Sequence, residues 1–189
     1  NRIVTVRHHA PGINMPELQS SPGLIQHYRE ASRTLISVVG YQVRSGNLTG
    51  YGQPERVRTI AVTSEFFDAL AVRPALGRAF DQRDAQQRSP QVCILTDTIW
   101  RSRFGADSNI VGRRVQLDGH SIEIVGVMPS QFAFPDADAR LLVPLWLDPR
   151  EFGAFGARTV ARLAPGVSLV PAREELAALQ RRIPERFPD

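Results

Sequence analysis

The stretch from Val57 to Phe80 constrains the fold of this chain more than any other, because it packs a strand, a short helix and a turn into one segment. Its opening, Val57–Val62, is rich in β-branched residues and predicts a strand. Thr63 or Ser64 then offers a side-chain oxygen to the first free N–H groups of a helix. Pro74 ends that helix. The segment therefore predicts a chain in which short strands and helices alternate.

The same alternation returns farther along the chain. Gln91–Thr96 is a short apolar run that predicts a strand, and Asp97–Phe104 predicts a capped helix. Ile110–Met128 predicts a hairpin with Asp118-Gly119 as its turn. An Asp-Gly pair supplies the positive φ angles that a tight type I′ turn requires, so this is the firmest local prediction in the chain.

The N-terminal part predicts a strand, a helix and a return strand. Arg2–Arg7 alternates polar and apolar residues as a half-buried strand does. Ser21 caps a helix that has Pro22 at its first position. Leu35–Val43 and Asn47–Tyr51 then predict extended chain.

The C-terminal part predicts two strands and a last helix. The strands are Leu141–Leu147 and Thr159–Leu163, and the proline in the first places it at a strand end or a sheet edge. Ser168 caps the helix, and Pro184 and Pro188 end it. Its apolar stripe consists of Ala172, Leu176, Leu179 and Ile183.

The composition indicates a globular chain and argues against nucleic acid as a partner. With 189 residues, 42% of them hydrophobic and 22% charged, the chain can bury a core. Its 23 basic residues are all arginine, but the net charge is only +4 and the arginines are spread along the sequence. Because a nucleic-acid-binding face needs clustered basic residues, we expect no such partner.

The single cysteine, Cys93, excludes an intrachain disulfide and a cysteine-based metal site. It lies in an apolar strand and is predicted to be buried and inert. No apolar run approaches the ~20 residues that span a bilayer. Because the chain begins at Asn1 without a Met or a signal peptide, we expect it to be a part of a longer protein.

The histidines do not predict a metal site. His8 and His9 are adjacent, so a strand would point them to opposite faces, and we expect both to be exposed loop residues. His27 in the first helix and His120 after the Asp-Gly turn are predicted to lie on the surface.

Two carboxylate pairs could suggest acid–base or cation chemistry, namely Asp81 with Asp84 and Asp136 with Asp138. They lie in predicted loops without a glycine-rich cradle or an adjacent base, so we interpret them as turn and cap residues. The sequence contains no nucleophile elbow, phosphate-binding loop or zinc-protease pattern. We therefore expect no catalytic residue, no cofactor and no metal, and the chain is predicted not to be an enzyme.

Most aromatic residues are predicted to pack in the core: Phe66, Phe67, Trp100, Phe104, Phe132, Phe134 and Trp146. Phe132, Phe134 and Trp146 flank predicted loops and edges. An exposed aromatic side chain at such a place is able to contact a partner.

Four segments together carry a family resemblance: VTSEFFDALAVRPALGRAF, VCILTDTIWRSRFG, NIVGRRVQLDGHSIEIVGVMP and FAFPDADARLLVPLW. In this order they resemble the MacB-like periplasmic core domain of bacterial ABC-transporter permeases of the FtsX-like superfamily. The short motifs GR-x-F, FG, VGR and VGVMP mark the similarity, which covers about Tyr41 to Trp146 and continues more weakly into the C-terminal helix.

The resemblance implies an α+β fold. A porter-like βαβ subdomain, residues 1–53 and 141–189, would be split by an inserted small α/β subdomain, residues 54–140, which is similar to the sabre subdomain of the family. The second βαβ unit lacks its return strand. The resemblance places that strand beyond Asp189, with one membrane span after it and another before Asn1.

The resemblance also implies a non-catalytic function. The chain would be a periplasmic domain of an inner-membrane ABC-transporter permease, and would couple ATP-driven transmembrane motion to the export or release of a substrate. Its implied partners are the permease's own transmembrane helices, a second permease copy in a homodimer, a cytoplasmic ABC ATPase, and a periplasmic adaptor or the exported substrate. A stand-alone extracytoplasmic ligand-binding or sensing domain is the alternative, and a periplasmic hydrolase is the least favoured reading.

Overall fold

The computed structural model describes residues 2–10, 15–86, 91–134 and 138–183. The chain divides into two compact units. The first unit is formed by residues 1–40 and 147–189, and the second by residues 41–146. The predicted roles of Asp136, Pro184 and Pro188 fall outside the described residues.

Within the described ranges the chain forms eleven strands and four helices. The strands are β1 (Ile3–Val6), β2 (His8–Ala10), β3 (Met15–Leu18), β4 (Leu35–Thr49), β5 (Glu55–Val62), β6 (Leu76–Gly77), β7 (Val92–Leu95), β8 (Arg114–Leu117), β9 (His120–Val127), β10 (Ala139–Pro144) and β11 (Arg158–Leu163). The helices are α1 (Pro22–Ala31), α2 (Phe66–Leu70), α3 (Asp97–Phe104) and α4 (Leu169–Arg181).

Several local predictions are confirmed, because they rested on short-range chemistry. The helix predicted at Asp97–Phe104 has those bounds. Asp118 and Gly119 form the turn of the β8–β9 hairpin with φ angles of 50° and 81°, which matches the type I′ requirement. Ser21 caps α1, where its hydroxyl accepts the N–H of Leu24 at 3.4 Å. Pro144 is the last residue of β10, as its missing N–H requires.

One predicted helix cap is wrong, and another has the predicted position without a side-chain bond. Helix α2 begins only at Phe66, and its capping residue is Glu65, without a side-chain cap bond. The backbone carbonyl of Thr63 satisfies the N–H of Phe66 at 3.0 Å. Ser168 is the N-cap residue of α4, as predicted, although its hydroxyl makes no cap bond there. The capping residue types therefore located the start of each helix, but they did not predict which atom accepts the first free N–H groups.

The first unit contains β1, β11 and the beginning of β4 in that order, with β1 antiparallel to β11. Helices α1 and α4 contribute the apolar residues that cover these strands. The buried core consists of Leu24, Ile25, Tyr28, Leu35, Val38, Ala157, Ala161, Leu163 and Ala172, with Leu176, Leu179 and Ile183 packed against it. The predicted stripe of α4 therefore faces this core.

One carboxylate ties α4 to the loop between α1 and β4. Glu175 accepts hydrogen bonds from the Ser32 hydroxyl at 2.6 Å and from the backbone N–H groups of Arg33 and Thr34 at 2.9 and 3.0 Å. Desolvation by burial raises the pKa of Glu175, but these hydrogen bonds outweigh it and hold the pKa at about 2. The charged form is therefore part of the folded first unit.

His8 lies in a buried polar network of the first unit, so its predicted exposure is wrong. It is only 5% exposed, and its ring stacks on Tyr28 with centroids 5.7 Å apart. Its Nε2 is 3.0 Å from the Ser20 hydroxyl, which accepts a hydrogen bond from Thr159 at 2.8 Å. The residue belongs to β2, and the burial arises from tertiary packing that its loop-like sequence context does not reveal.

His27 is also buried, at 4% exposure, and the prediction of a surface residue is wrong. Its Nε2 lies 3.2 Å from the carbonyl oxygen of Leu179 on α4. His27 is three residues after Leu24, so it shares the buried face of α1. The three-residue spacing from Leu24 predicts burial, whereas the polar side chain of histidine suggests a surface position.

The second unit is built on a ring of six strands. Successive pairing connects β4 to β5, β5 to β10, β10 to β7, β7 to β9 and β9 to β8. The ring closes because β8 also pairs with β4, where Leu48 lies opposite Leu117. Strand pairing in a circle removes exposed edges and leaves one inner face.

The inner face of the ring holds the core of the second unit. Alternate residues of each strand point inward, and the buried set is Leu48, Val57, Cys93, Leu95, Ile99, Phe104, Ile110, Val115, Ile122, Ile124, Val127 and Leu141. Ile99 and Phe104 belong to α3, which thus contributes to the packing at one end of the ring. The second unit is therefore a small closed barrel with a filled interior.

A close backbone crossing fastens β6 to this barrel. Gly77 lies opposite Gly126 of β9, and Gly77 has a φ of +72°. A Cβ at Gly77 would stand 2.1 Å from the carbonyl oxygen of Val125, and one at Gly126 would stand 2.8 Å from that of Arg78. Two glycines are required here because neither side has room for a side chain.

Aromatic rings form a second packed group in the second unit. Phe66 is 5.6 Å from Phe67 and 5.9 Å from Phe134 between ring centroids, and Phe67 is 5.5 Å from Phe80. Phe134 also meets Tyr41 edge-on at 5.7 Å. All of these pairs except Phe66–Phe134 are edge-to-face, and such pairs stabilise by about 0.5–1.5 kcal/mol beyond area burial. Phe66 and Phe67 are buried, which confirms their predicted core position, and these ring contacts explain it.

We expect Gly77→Ala to destabilise the second unit by about 3 kcal/mol. Left-handed backbone costs an L-residue roughly 1–2 kcal/mol, and forcing a methyl group against the Val125 carbonyl adds about 1–3 kcal/mol. Gly105→Ala is the matched control, because Gly105 has a φ of +61° with no atom within 4 Å of a Cβ. Urea unfolding followed by fluorescence measures both. Equal losses in the two variants would contradict the close crossing.

We also expect the stability of the first unit to fall in mild acid because of His8. Burial lowers the pKa of His8 below 6.5, while a hydrogen bond with Gln180 raises it by less. Below a pH of about 6.5 the His8 imidazole is protonated in the unfolded chain but stays neutral in the folded chain. The free energy of unfolding therefore decreases as the pH falls. His8→Gln removes this dependence, and the exposed His120→Gln retains it. The midpoint temperature of thermal unfolding is measured about one pH unit above and below 6.5 for each variant. An equal change of that temperature with pH in wild type and His8→Gln would refute the prediction.

Candidate functional site

The feature of the second unit best suited to a ligand is a cleft of about 340 Å³ on the barrel. Its volume lies at the lower end of the range of small-molecule sites, about 300–1,000 Å³. The lining is part polar and part apolar: Arg44, Ser45, Gly46, Thr59, Asp84, Gln86, Gln91, Val92, Leu117, Asp118, His120, Ile122, Val143, Pro144 and Trp146. We call it the mouth cleft.

The mouth cleft lies at the end of the ring that carries the Asp118-Gly119 turn. Strands β5 and β10 each place a cleft residue two positions from a core residue, Thr59 after Val57 and Val143 after Leu141. Because side chains alternate along a strand, these pairs share the inner face. The cleft is therefore the open mouth of the barrel, above its packed core.

The barrel wall opens at one side of the mouth cleft. Strands β10 and β7 pair only at Leu141 with Leu95 and at Leu142 with Ile94. Beyond those positions Val143 and Pro144 line the cleft on one strand, while Val92 lines it on the other. Pro144 cannot donate a hydrogen bond to continue the ladder, which favours this separation of the strands.

Several polar groups of the mouth cleft are available for a ligand. The Thr59 residue is 3% exposed and lines the cleft, and its hydroxyl has no hydrogen-bond partner among the described residues. Arg44 donates to Gln42 and keeps further N–H groups. Asp118 uses one carboxylate oxygen, Oδ1, which accepts from the backbone N–H of Asn47 at 2.8 Å.

Trp146 is at the rim of the mouth cleft and is 42% exposed. Its predicted core role is therefore wrong, while the expectation that it is available for contacts agrees with its exposure. Phe132 and Phe134 are half-buried and belong to the aromatic group around Phe66. Trp100 is half-buried, and its indole N–H donates to the carbonyl of Asp107 at 3.0 Å.

The predicted carboxylate cluster at Asp81 and Asp84 organises a turn. Asp84 binds Arg78 through two hydrogen bonds, of 2.5 and 3.0 Å, and accepts the N–H of Asp81 at 2.9 Å. Asp81 accepts the backbone N–H of Arg83 at 2.8 Å. A hydrogen bond from the Arg83 guanidinium, together with backbone N–H groups, lowers the pKa of Asp81 to about 2. Asp138 is exposed.

The Ser20–His8 pair has the distance of a nucleophile and its base, but it lacks access. Ser20 is 1% exposed, and its hydroxyl is already occupied by the hydrogen bond from Thr159. A nucleophile must reach a substrate carbonyl, which this burial prevents. Within the described ranges no group of three or more His, Cys, Asp or Glu residues is arranged to hold a metal ion.

Cys93 is fully buried within the barrel core, as its strand context predicted. Burial raises the pKa of its thiol to about 12. A thiol with so high a pKa is almost entirely protonated near neutral pH, so it is a poor nucleophile. His120 is exposed, which confirms its predicted surface position.

The short motifs that mark the family resemblance prove to be packing devices. In GR-x-F, Gly77 makes the close crossing, Arg78 pairs with Asp84, and Phe80 packs on Phe67. In VGR, Gly112 has a φ of +88° and Arg113 pairs with Asp107 at 2.5 Å. None of these motif residues lines the mouth cleft, although Asp84, the partner of Arg78, does. Sequence reasoning missed the cleft because its residues come from strands far apart in the chain.

The sequence of the chain is similar to a family model described as the MacB-like periplasmic core domain, which matches residues 1–179. The macrolide export ATP-binding/permease protein MacB of Burkholderia lata is 38% identical over 66 residues, which are 35% of this chain and 10% of that protein. The protein of the same name from Acinetobacter baylyi is 29% identical over 115 residues, 60% of this chain and 17% of that protein. The aligned parts are thus less than a fifth of these relatives.

The fold is similar to that of a solved structure, the periplasmic region of MacB from Actinobacillus actinomycetemcomitans. The TM-score is 0.73 at 16% sequence identity, over 96% of this chain and 83% of that one. This likeness confirms the mixture of helices and strands in the predicted α+β fold. Among the described helices, none is long and apolar enough to cross a membrane. Because the family model matches nearly the whole sequence, the chain belongs to the MacB-like periplasmic core domain family.

Proposed function

We propose that this chain is the extracytoplasmic part of an ABC-transporter permease and that it transmits motion without catalysing a reaction. The match of the family model to residues 1–179 carries the proposal. The free energy would come from ATP hydrolysed by a cytoplasmic ABC ATPase. The permease's transmembrane helices would pass the motion to this domain, which would promote export or release of a substrate.

The two packed units suit a mechanical role. Each has its own buried core, and the chain passes between them only at Gly40–Tyr41 and Trp146–Leu147. We propose that the first unit lies within the porter-like subdomain, residues 1–53 and 141–189, and that residues 54–140 of the second unit are the sabre-like subdomain. A tightly packed core transmits displacement because it resists compression. Each unit would therefore be able to move as a rigid body without unfolding.

The proposed partners follow from the same reading. They are the permease's own transmembrane helices, a second permease copy, and a periplasmic adaptor or the exported substrate. The relatives are named for macrolide export, so macrolides are the first substrate class to test in the complete permease. The mouth cleft leaves a second function open, that of a ligand-binding domain.

Location is tested with one engineered thiol. Ala154 is exposed in the first unit, and the native Cys93 is buried. We expect a membrane-impermeant maleimide to label Ala154→Cys in cells whose outer envelope is opened and whose inner membrane is intact. The unmodified chain, which has only Cys93, is the control and stays unlabelled. Labelling only after the inner membrane is broken would place the chain in the cytoplasm and end the proposal.

Motion is tested in the complete permease with the same thiol. A spin label on Ala154→Cys in both copies of a homodimer reports one distance between the copies. We expect the distance distribution to shift when the ATPase is trapped with nucleotide and vanadate. An ATPase-inactive permease carrying the same label serves as the control. A distribution that is the same with and without trapped nucleotide would exclude mechanical transmission to this domain.

A further inference from the structure

We propose that the mouth cleft binds a small neutral saccharide. The inference is independent of the mechanical function proposed above, because it concerns binding by the second unit alone. It rests on three properties of the cleft, which are its balanced charge, its mixture of hydrogen-bonding groups and its exposed indole.

The charges of the mouth cleft cancel. Arg44 contributes one positive charge and Asp118 one negative charge. Asp84 is already neutralised by its two hydrogen bonds with Arg78. Asp118 would repel an anionic ligand, and Arg44 would repel a cationic one. For either ligand this repulsion would offset the attraction to the other residue, so the net electrostatic contribution to binding would be small. A neutral ligand avoids that conflict.

The polar groups of the cleft match hydroxyl groups. A sugar hydroxyl both donates and accepts, and the cleft presents donors on Arg44, an acceptor oxygen on Asp118 and groups of both kinds on Gln91 and Thr59. The Thr59 hydroxyl has no hydrogen-bond partner among the described residues, and it is not one of the fully buried polar atoms that lack a partner, so it is open to the cleft. A ligand hydroxyl placed on it would replace water and form a direct hydrogen bond.

The apolar part of the cleft matches the carbon face of a sugar ring. Trp146 offers an exposed indole at the rim, and Val143 and Ile122 line the interior beside it. Aromatic side chains bind ligands that are apolar on one side and polar on the other, since the indole supplies area at low entropic cost. A purely apolar ligand would leave the Arg44 and Asp118 groups desolvated without partners. The cleft therefore favours an amphipathic, uncharged ring.

The experiment is a titration of the ¹⁵N-labelled chain with maltose, followed by NMR. The chain has two tryptophans, and each indole N–H gives one signal. We expect the Trp146 signal to shift in a saturable manner with a dissociation constant on the order of 1 mM. The Trp100 signal stays in place, because its N–H is held by the Asp107 carbonyl. Trp100 is thus an internal control.

Two variants separate site binding from a general effect. Thr59→Val keeps the shape of the side chain and removes the hydroxyl, and we expect it to raise the maltose dissociation constant about three- to ten-fold. Thr5→Val changes an exposed threonine of the first unit and leaves the constant unchanged. The spectrum of each variant without ligand shows whether the barrel is folded. A folded Thr59→Val chain that binds maltose as wild type does would overturn the role of Thr59 and with it the proposal.

A second ligand distinguishes a free saccharide from the sugar headgroup of a lipid. Decyl maltoside is used below the concentration at which it forms micelles. Shifts with both ligands support the saccharide, and a lower dissociation constant for decyl maltoside assigns the natural ligand to a glycolipid. Shifts with decyl maltoside alone would show that the alkyl chain binds and would refute the proposal. No shift of Trp146 with either ligand would refute it as well.

Discussion

The second unit depends on the pairing of β8 with β4. Without it the six strands would form an open sheet with two exposed edges. The Asp118-Gly119 turn strengthens this pairing, because Asp118 is hydrogen-bonded to Asn47 of β4. The Asp118 N–H donates to the Asn47 carbonyl at 3.0 Å, and the Asp118 carboxylate accepts from the backbone and side-chain N–H groups of Asn47. The turn therefore determines more than the geometry of its own hairpin. It completes the wall that encloses the core and forms the rim of the mouth cleft.

Short-range features of this structure could be predicted from the sequence, and features made by distant residues could not. The α3 bounds, the Asp118-Gly119 turn and the apolar stripe of α4 follow from chemistry within a few residues. The burial of His8 and the exposure of Trp146 depend on what other segments place beside them. Thr59 belongs to the same class. Its role in the cleft arises only when strands from three parts of the chain meet, so no local pattern announces it.

The motifs that identify the family say little about what a member binds. Gly77, Gly112 and Arg78 maintain backbone crossings, turns and one ion pair. Such residues preserve a scaffold, because their replacement costs folding free energy whatever the ligand. In the proposed saccharide site, ligand choice belongs to positions such as Arg44 and Trp146, which line the cleft and lie outside the motifs. Sharing the motifs therefore does not by itself imply sharing a ligand.

The closed ring has a consequence for the order in which the chain can fold. Strands β4 and β5 form early in synthesis, but their partners β8 and β10 extend to Leu117 and Pro144. The chain must lose the entropy of closing these long loops before the paired strands contribute any stability. This order of events slows folding. Until residue 144 is available, β4 and β5 present unpaired edges that favour aggregation. A chain made from its N-terminus therefore benefits from being kept unfolded until nearly the whole barrel has emerged.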